Sequence, residues 1–70
     1  MKKIIVFESV HFTIKADKLM KNNGFEYQII TTPREISLDC GMSIETDENN
    51  FEQIYKYLEE KGIKMKVFDL

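Results

Sequence analysis

The order of elements legible in this 70-residue chain, β-α-β-β-α-β, predicts an α+β fold with a four-stranded antiparallel sheet and two helices on one face. Three observations carry that expectation. The chain opens on an apolar run of strand type. Two stretches of helical periodicity follow, each closed by a glycine. Each of those glycines leads into a segment of strand character. The two halves share one plan, which is the ferredoxin-like split βαβ sandwich. At this length one domain, 1–70, is expected, with a modest core: a domain of this size buries only about 60% of its unfolded surface.

Lys2 to Phe7 reads as the first strand. Its apolar run does not alternate, as expected of a central strand buried on both faces. Ser9 is placed to cap the helix that follows, because its hydroxyl can accept from an unpaired backbone N–H. That helix runs from about Val10 to Asn23, with Phe12, Ala16, Leu19 and Met20 near one face and lysines mostly elsewhere. Asn23-Gly24 ends it. Phe25 to Thr31 reads as the second strand. Gly41 to Thr46 reads as the third, with Met42, Ile44 and Thr46 on one side. Asp47 can cap the second helix, and Glu48 suits the positive end of that helix. Phe51, Ile54, Tyr55 and Leu58 fall at i, i+3, i+4 and i+7, the clearest periodic signal in the chain. Gly62 ends this helix. Ile63, Met65 and Val67 alternate with lysines and Phe68 in a last strand.

Composition excludes several classes. Ten basic against twelve acidic residues give a net charge of -2, and the lysines are scattered. Nucleic-acid binding needs a clustered positive surface and is not expected. The apolar run after Met1-Lys2-Lys3 stops at Glu8, too short for a secretory segment, and no stretch approaches the roughly 20 apolar residues of a membrane span. A lone cysteine cannot form an internal disulfide, so cytoplasmic residence with a free or externally bound thiol is expected. One cysteine and one histidine cannot supply a structural zinc site, no phosphate-cradling glycine pattern is present, and no cofactor is implied.

The segment Thr32-Pro33-Arg34-Glu35-Ile36-Ser37-Leu38-Asp39-Cys40-Gly41 fits neither helix nor strand. It holds the only cysteine, proline and arginine of the chain. Right-handed crossovers bring its two ends to the edge of the sheet where the first strand stops and the first helix starts. Cys40 and Gly41 should therefore lie near Ser9, Val10 and His11. A helix N-terminus carries roughly half a positive charge and unpaired N–H donors, and favours a thiolate.

Cys40 is the first candidate for chemistry. A free thiol, with a pKa of about 8.5, is only about 3% ionised at neutral pH. The helix end, Arg34 and His11 would each lower that pKa, and Asp39 would raise it. Set against this is the ordinary role of a lone cysteine as a small buried hydrophobe; a position between Asp39 and Gly41 does not suit that role. Arg34 offers a fork of donors for an oxyanion or thiolate, and Pro33 can aim it; a local pair with Glu35 or Asp39 is the plainer reading. His11 could accept the thiol proton or pair with the thiolate, or be a surface histidine. Ile36 and Leu38 are expected to fold inward and hold the loop. Thr32 and Ser37 could bond an anion or cap a turn, the turn being preferred.

The run Thr32-Pro33-Arg34-Glu35-Ile36-Ser37, followed after two residues by Cys40-Gly41, resembles the signature of the selenium/sulfur (Se/S) carrier-like proteins, small bacterial domains. Ser9-Val10-His11, Ala16-Asp17-Lys18-Leu19, Gly24 and Glu60-Lys61-Gly62 extend the resemblance over nearly the whole chain. Phe12 and Leu38-Asp39 depart from it mildly. The resemblance implies a carrier: Cys40 would hold sulfur or selenium as a persulfide or perselenide, assisted by His11 and Arg34, with Ser9 and Gly41 at the binding corner. It implies a donor enzyme of desulfurase type and an acceptor protein as partners. Two other readings stand beside it. One is a non-catalytic binding module that grips an anion or partner chain, with Cys40 incidental. The other is a thiol oxidoreductase, disfavoured because no second cysteine is present to resolve an intermediate. An exposed edge strand, the second or the fourth, could support a homodimer.

Overall fold

A computed structural model describes residues 2–36 and 41–69. The elements are β1 (Lys2–Phe7), α1 (Val10–Asn22), β2 (Gln28–Thr31), β3 (Met42–Asp47), α2 (Glu48–Glu60) and β4 (Met65–Asp69). The sheet order is β2-β3-β1-β4 and every neighbouring pair is antiparallel. This is the ferredoxin-like arrangement that the element order predicts. The register pairs Ile5 with Ile44 and Val67, and Ile29 with Ile44.

Side chains alternate across the pleat, so these pairs sort the residues onto two faces. Ile5, Phe7 and Ile44 lie under the helices and join Ala16, Met20, Ile54, Leu58 and Ile63 in the main core. Each fully buried aliphatic side chain there stabilises the fold by about 1.5–3 kcal/mol. Ile4 and Val6 point to the other face, where Ile30, Ile36 and Phe68 pack against them. That explains why the run from Ile4 to Phe7 does not alternate: β1 is covered on both sides.

The termini of the elements differ from the sequence reading in instructive ways. β2 begins at Gln28, not Phe25. Phe25 is drawn away from the sheet by its N–H, which donates to the Met20 carbonyl (3.4 Å), and by its ring against Tyr57. Tyr27 is held by its hydroxyl, which donates to the Asp17 carbonyl (3.0 Å). Similarly, Ile63 precedes β4; its N–H closes the end of α2 on the Leu58 carbonyl (3.1 Å) and its side chain is buried. Gly62 has φ +77°, the left-handed conformation expected of a residue just past a helix end. Ser9 and Asp47 occupy the N-cap positions of α1 and α2, but neither side chain makes a capping bond. Among the described residues no helix is long and apolar enough to cross a membrane.

Candidate functional site

The site is built where β1 ends, α1 begins and β3 begins. Val6 pairs with Ser43 and Thr31 with Met42, so the start of β3 lies beside the end of β1 and the end of β2. The first intrahelical bonds of α1 run from the Phe12 and Thr13 N–H groups to the Ser9 carbonyl, both 3.1 Å. The Val10 and His11 N–H groups stand ahead of those bonds and have no acceptor among the described residues.

Thr13 joins this helix start to β3. Its side chain is fully buried, and its hydroxyl donates to the Ser9 carbonyl at 3.3 Å and the Met42 carbonyl at 3.4 Å. The sequence reading missed this residue, although its signal was present. Thr13, Ala16 and Met20 share the buried stripe of α1, and a threonine in such a stripe needs a partner for its hydroxyl.

The two ends of the loop between β2 and β3 are clasped on the other side. The Thr32 N–H donates to the Gly41 carbonyl at 3.3 Å. The hydroxyls of Thr32 and Ser43 hydrogen-bond to each other, and both residues are buried. Thr32 is therefore part of the loop's foundation rather than an anion ligand. Pro33 opens a turn that the Ile36 N–H closes on the Pro33 carbonyl (3.0 Å). Ile36 then packs with Ile4 and Val6 on the face opposite the helices, an inward fold of the kind expected for it.

The predicted site residues divide accordingly. Ser9 and His11 belong to the first turn of α1 and its cap; Met42 is tied to that turn through Thr13, and Gly41 to Thr32 through its carbonyl. His11 is exposed, with its ring edge-on to Phe12 at 5.5 Å. Arg34 is exposed in the turn that leads onto the open face, and no hydrogen bond or ion pair joins it to His11. Cys40, together with Ser37, Leu38 and Asp39, lies outside the described residues. Gly41 has an ordinary φ, and an added Cβ would meet nothing within 4 Å. No group of three or more His, Cys, Asp or Glu residues able to hold a metal occurs among the described residues.

A family model described as "Putative Se/S carrier protein-like" matches residues 2–68. The chain belongs to this family. No curated protein and no solved structure matches it. The Se/S carrier-like match spans both helices and all four strands short of Asp69, and includes the whole of the Thr32–Gly41 segment. In this member of the family, the Met42 carbonyl, two residues past the only cysteine in the sequence, is bonded by Thr13 of the first turn of α1.

A second polar cluster lies at the opposite end of the molecule. There, burial and the Asp17 carboxylate raise the Tyr27 phenol well above its ordinary pKa of 10.0. Nearby, the Lys2 ammonium pairs with Glu45 at 3.0 Å, and Lys2 is raised by that bond. This cluster ties α1 and β1 to their neighbours and lies at the other end of β2 and β3 from Thr31 and Met42.

Proposed function

We propose that this chain is a small thiol carrier that holds sulfur or selenium on Cys40 and passes it between proteins. The observation that carries the reading is the bond from Thr13 to the Met42 carbonyl, which fixes the chain two residues beyond Cys40 to the first turn of α1. The family match to Se/S carriers supports it from a different direction. In loading, the Cys40 thiolate attacks the outer sulfur of a donor persulfide, R–S–SH. A new S–S bond forms to Cys40, the donor's S–S bond breaks, and the donor leaves as a thiolate that takes up a proton. Delivery is the reverse exchange, with an acceptor nucleophile taking the outer sulfur and Cys40 leaving as thiolate. No external oxidant or reductant enters either step. Selenium follows the same path from a donor of the form R–S–SeH.

Each remaining residue has a role in that exchange. The Val10 and His11 N–H groups and the guanidinium of Arg34 stabilise the anionic sulfur or selenium. The His11 imidazole moves the thiol proton. Ser9 and Gly41 form the backbone corner on either side. The partners are a desulfurase-type donor and an acceptor protein, and the compartment is the cytoplasm, where a lone thiol stays reduced. The chain acts as a carrier rather than as a stand-alone enzyme.

Intact mass after incubation with a persulfide donor tests the proposal. The expected result is a gain of one sulfur that Cys40→Ser abolishes and that a reductant or an acceptor thiol removes. No adduct, or an adduct unaffected by Cys40→Ser, defeats it.

A further inference from the structure

The outer surfaces of the two helices carry opposite charge. Both helices cover the same face of the sheet, with Ala16, Met20, Ile54 and Leu58 turned inward to one core. The exposed charges of α1 are Lys15, Lys18 and Lys21; its single acid, Asp17, is half-buried and pairs with Lys21 at 3.4 Å. Lys15 and Lys18 have no ion pair among the described residues. The exposed charges of α2 are Glu48, Glu52, Glu59 and Glu60 against Lys56 alone. With His11 neutral, three lysines against one aspartate make α1 +2, and four glutamates against one lysine make α2 -3.

The two helices also differ in what stands among the charges. Val10 is 39% exposed and Ile14 44%, whereas no large apolar side chain of α2 is exposed. At about 100° per residue, Ile14 and Lys18 stand opposite Ala16, with Val10 and Lys21 to one side of them and His11 and Lys15 to the other. Ile14 is therefore centred on the outer face of α1, one turn from the helix start, with lysines on both sides.

We propose that this outer face of α1 is a docking surface for a protein that presents an apolar side chain rimmed by carboxylates. The charges choose the occupant. A flat anionic surface such as a lipid bilayer would meet both helices and bring the α2 glutamates against like charge. A second copy fits no better: α1 on α1 opposes lysines, and α1 on α2 sets Ile14 against glutamates with no apolar counterpart. An acidic partner confined to α1 gains from the apolar centre and the basic rim together. The glutamates of α2 repel it from the neighbouring helix and so fix its position. The patch starts at the turn to which Thr13 ties Met42, so a protein seated there stands beside the end of the cysteine segment. On the carrier reading, on which this step alone rests, that protein is the donor or the acceptor.

Thiol–disulfide exchange on the whole protein tests the surface. The probes are two peptides of equal length, each with one cysteine activated as its 2-pyridyl disulfide. One sets leucines among glutamates, and the other has a lysine for every glutamate. The Cys40 thiolate attacks the peptide sulfur and an S–S bond to the peptide forms. The bond to the pyridyl sulfur breaks, and pyridine-2-thione leaves with the proton and is read by its absorbance. The acidic peptide reacts at least about tenfold faster at low salt, and the advantage shrinks at high salt. Lys15→Gln with Lys18→Gln removes most of that preference. Lys56→Gln with Lys66→Gln, an equal change of net charge elsewhere, keeps it. Ile14→Gln slows the acidic peptide by about fivefold. Every variant reacts with iodoacetamide at the parent rate. Equal rates for the two peptides, or a preference that Lys15→Gln with Lys18→Gln leaves undiminished, overturn the proposal. So does self-association in sedimentation, or binding to phosphatidylglycerol vesicles, that the same two changes weaken; these give the face to a second copy or to lipid. Exchange needs no bound sulfur, so a failure here leaves the mass test of Cys40 loading untouched.

Discussion

Replacing Thr32 by valine keeps its shape and removes one hydroxyl from a buried pair. Ser43, the other member, is fully buried, and Thr32 is 6% exposed. Among the described residues the Ser43 hydroxyl has the Thr32 hydroxyl as its only partner. After Thr32→Val it is left without one, at a cost of about 1–3 kcal/mol. Ser43→Ala strands the Thr32 hydroxyl and costs a similar amount. The double variant strands nothing and should be close to neutral, so the single effects do not add. The coupling falls in the range of about 0.5–3 kcal/mol found for contacting pairs. Against a total stability of roughly 4–10 kcal/mol for a chain of this length, either single change is large. A loss of about 2 kcal/mol lowers Tm by roughly 8–16 °C. Urea unfolding followed by circular dichroism, with the parent, both singles and the double, measures the full cycle. Two single variants that each cost less than about 0.5 kcal/mol, or a double variant equal to their sum, would show that the hydroxyl pair does not hold the base of the loop.

Other perturbations separate structural from chemical roles. Gly62→Ala should lose about 1–2 kcal/mol in the same unfolding assay, since φ +77° is strained for any residue with a Cβ. Gly41→Ala should stay within about 0.5 kcal/mol of the parent, its φ being ordinary and its surroundings open, so a fall in Cys40 loading in that variant reports on the site itself. Of the three tyrosines, Tyr27 should ionise last in an ultraviolet absorbance titration, and Tyr27→Phe should remove that late step. Its phenol is raised in the folded state, so its contribution to stability is complete below pH 10.0 and is lost as pH climbs above that value; unfolding against pH should fall less steeply there in Tyr27→Phe. The alkylation rate of Cys40 against pH should show a midpoint below the free value of about 8.5, raised by Arg34→Ala and by His11→Ala. A midpoint that neither change moves removes both residues from the proposed site.

The architecture was legible because it rests on period and punctuation. The Phe51, Ile54, Tyr55, Leu58 stripe and the glycines at 24 and 62 fix both helices within a residue or two. The unbroken run of β1 announced a strand covered on two faces. Strand ends were less legible. Phe25 and Tyr27 alternate like strand residues, but a ring contact and a hydrogen bond to α1 claim them before the ladder begins. That the start of β3 lies against the first turn of α1 followed from topology alone. The bonds that build this corner did not, because Thr13, Thr32 and Ser43 are small polar residues whose partners lie 11 to 29 positions away. The capping roles expected of Ser9 and Asp47 rested on residue type, which sets a preference and leaves the rotamer open.

On the proposed function, those three hydroxyls give a carrier thiol a fixed base without enclosing it. A carrier must present its sulfur to two proteins in turn, so the sulfur cannot be enclosed. An exposed thiol on a slack tether would lose the orientation that makes exchange efficient. Here the positioning bonds are made by neighbours of the cysteine segment. Thr32 and Ser43 clasp its base on the open face of the sheet, and the Thr32 N–H holds the Gly41 carbonyl. Thr13 holds Met42 on the helix face. The start of β3 is thereby pinned from both sides, while Gly41 stays exposed with space around it. Hydroxyls suit this task because they can be buried without bulk and bond a carbonyl or one another without charge. The places of two of them, Thr13 in the buried stripe of a helix and Ser43 in an interior strand, are where an apolar residue would otherwise give more stability. Polar residues at apolar positions are thus the mark this site leaves on the sequence.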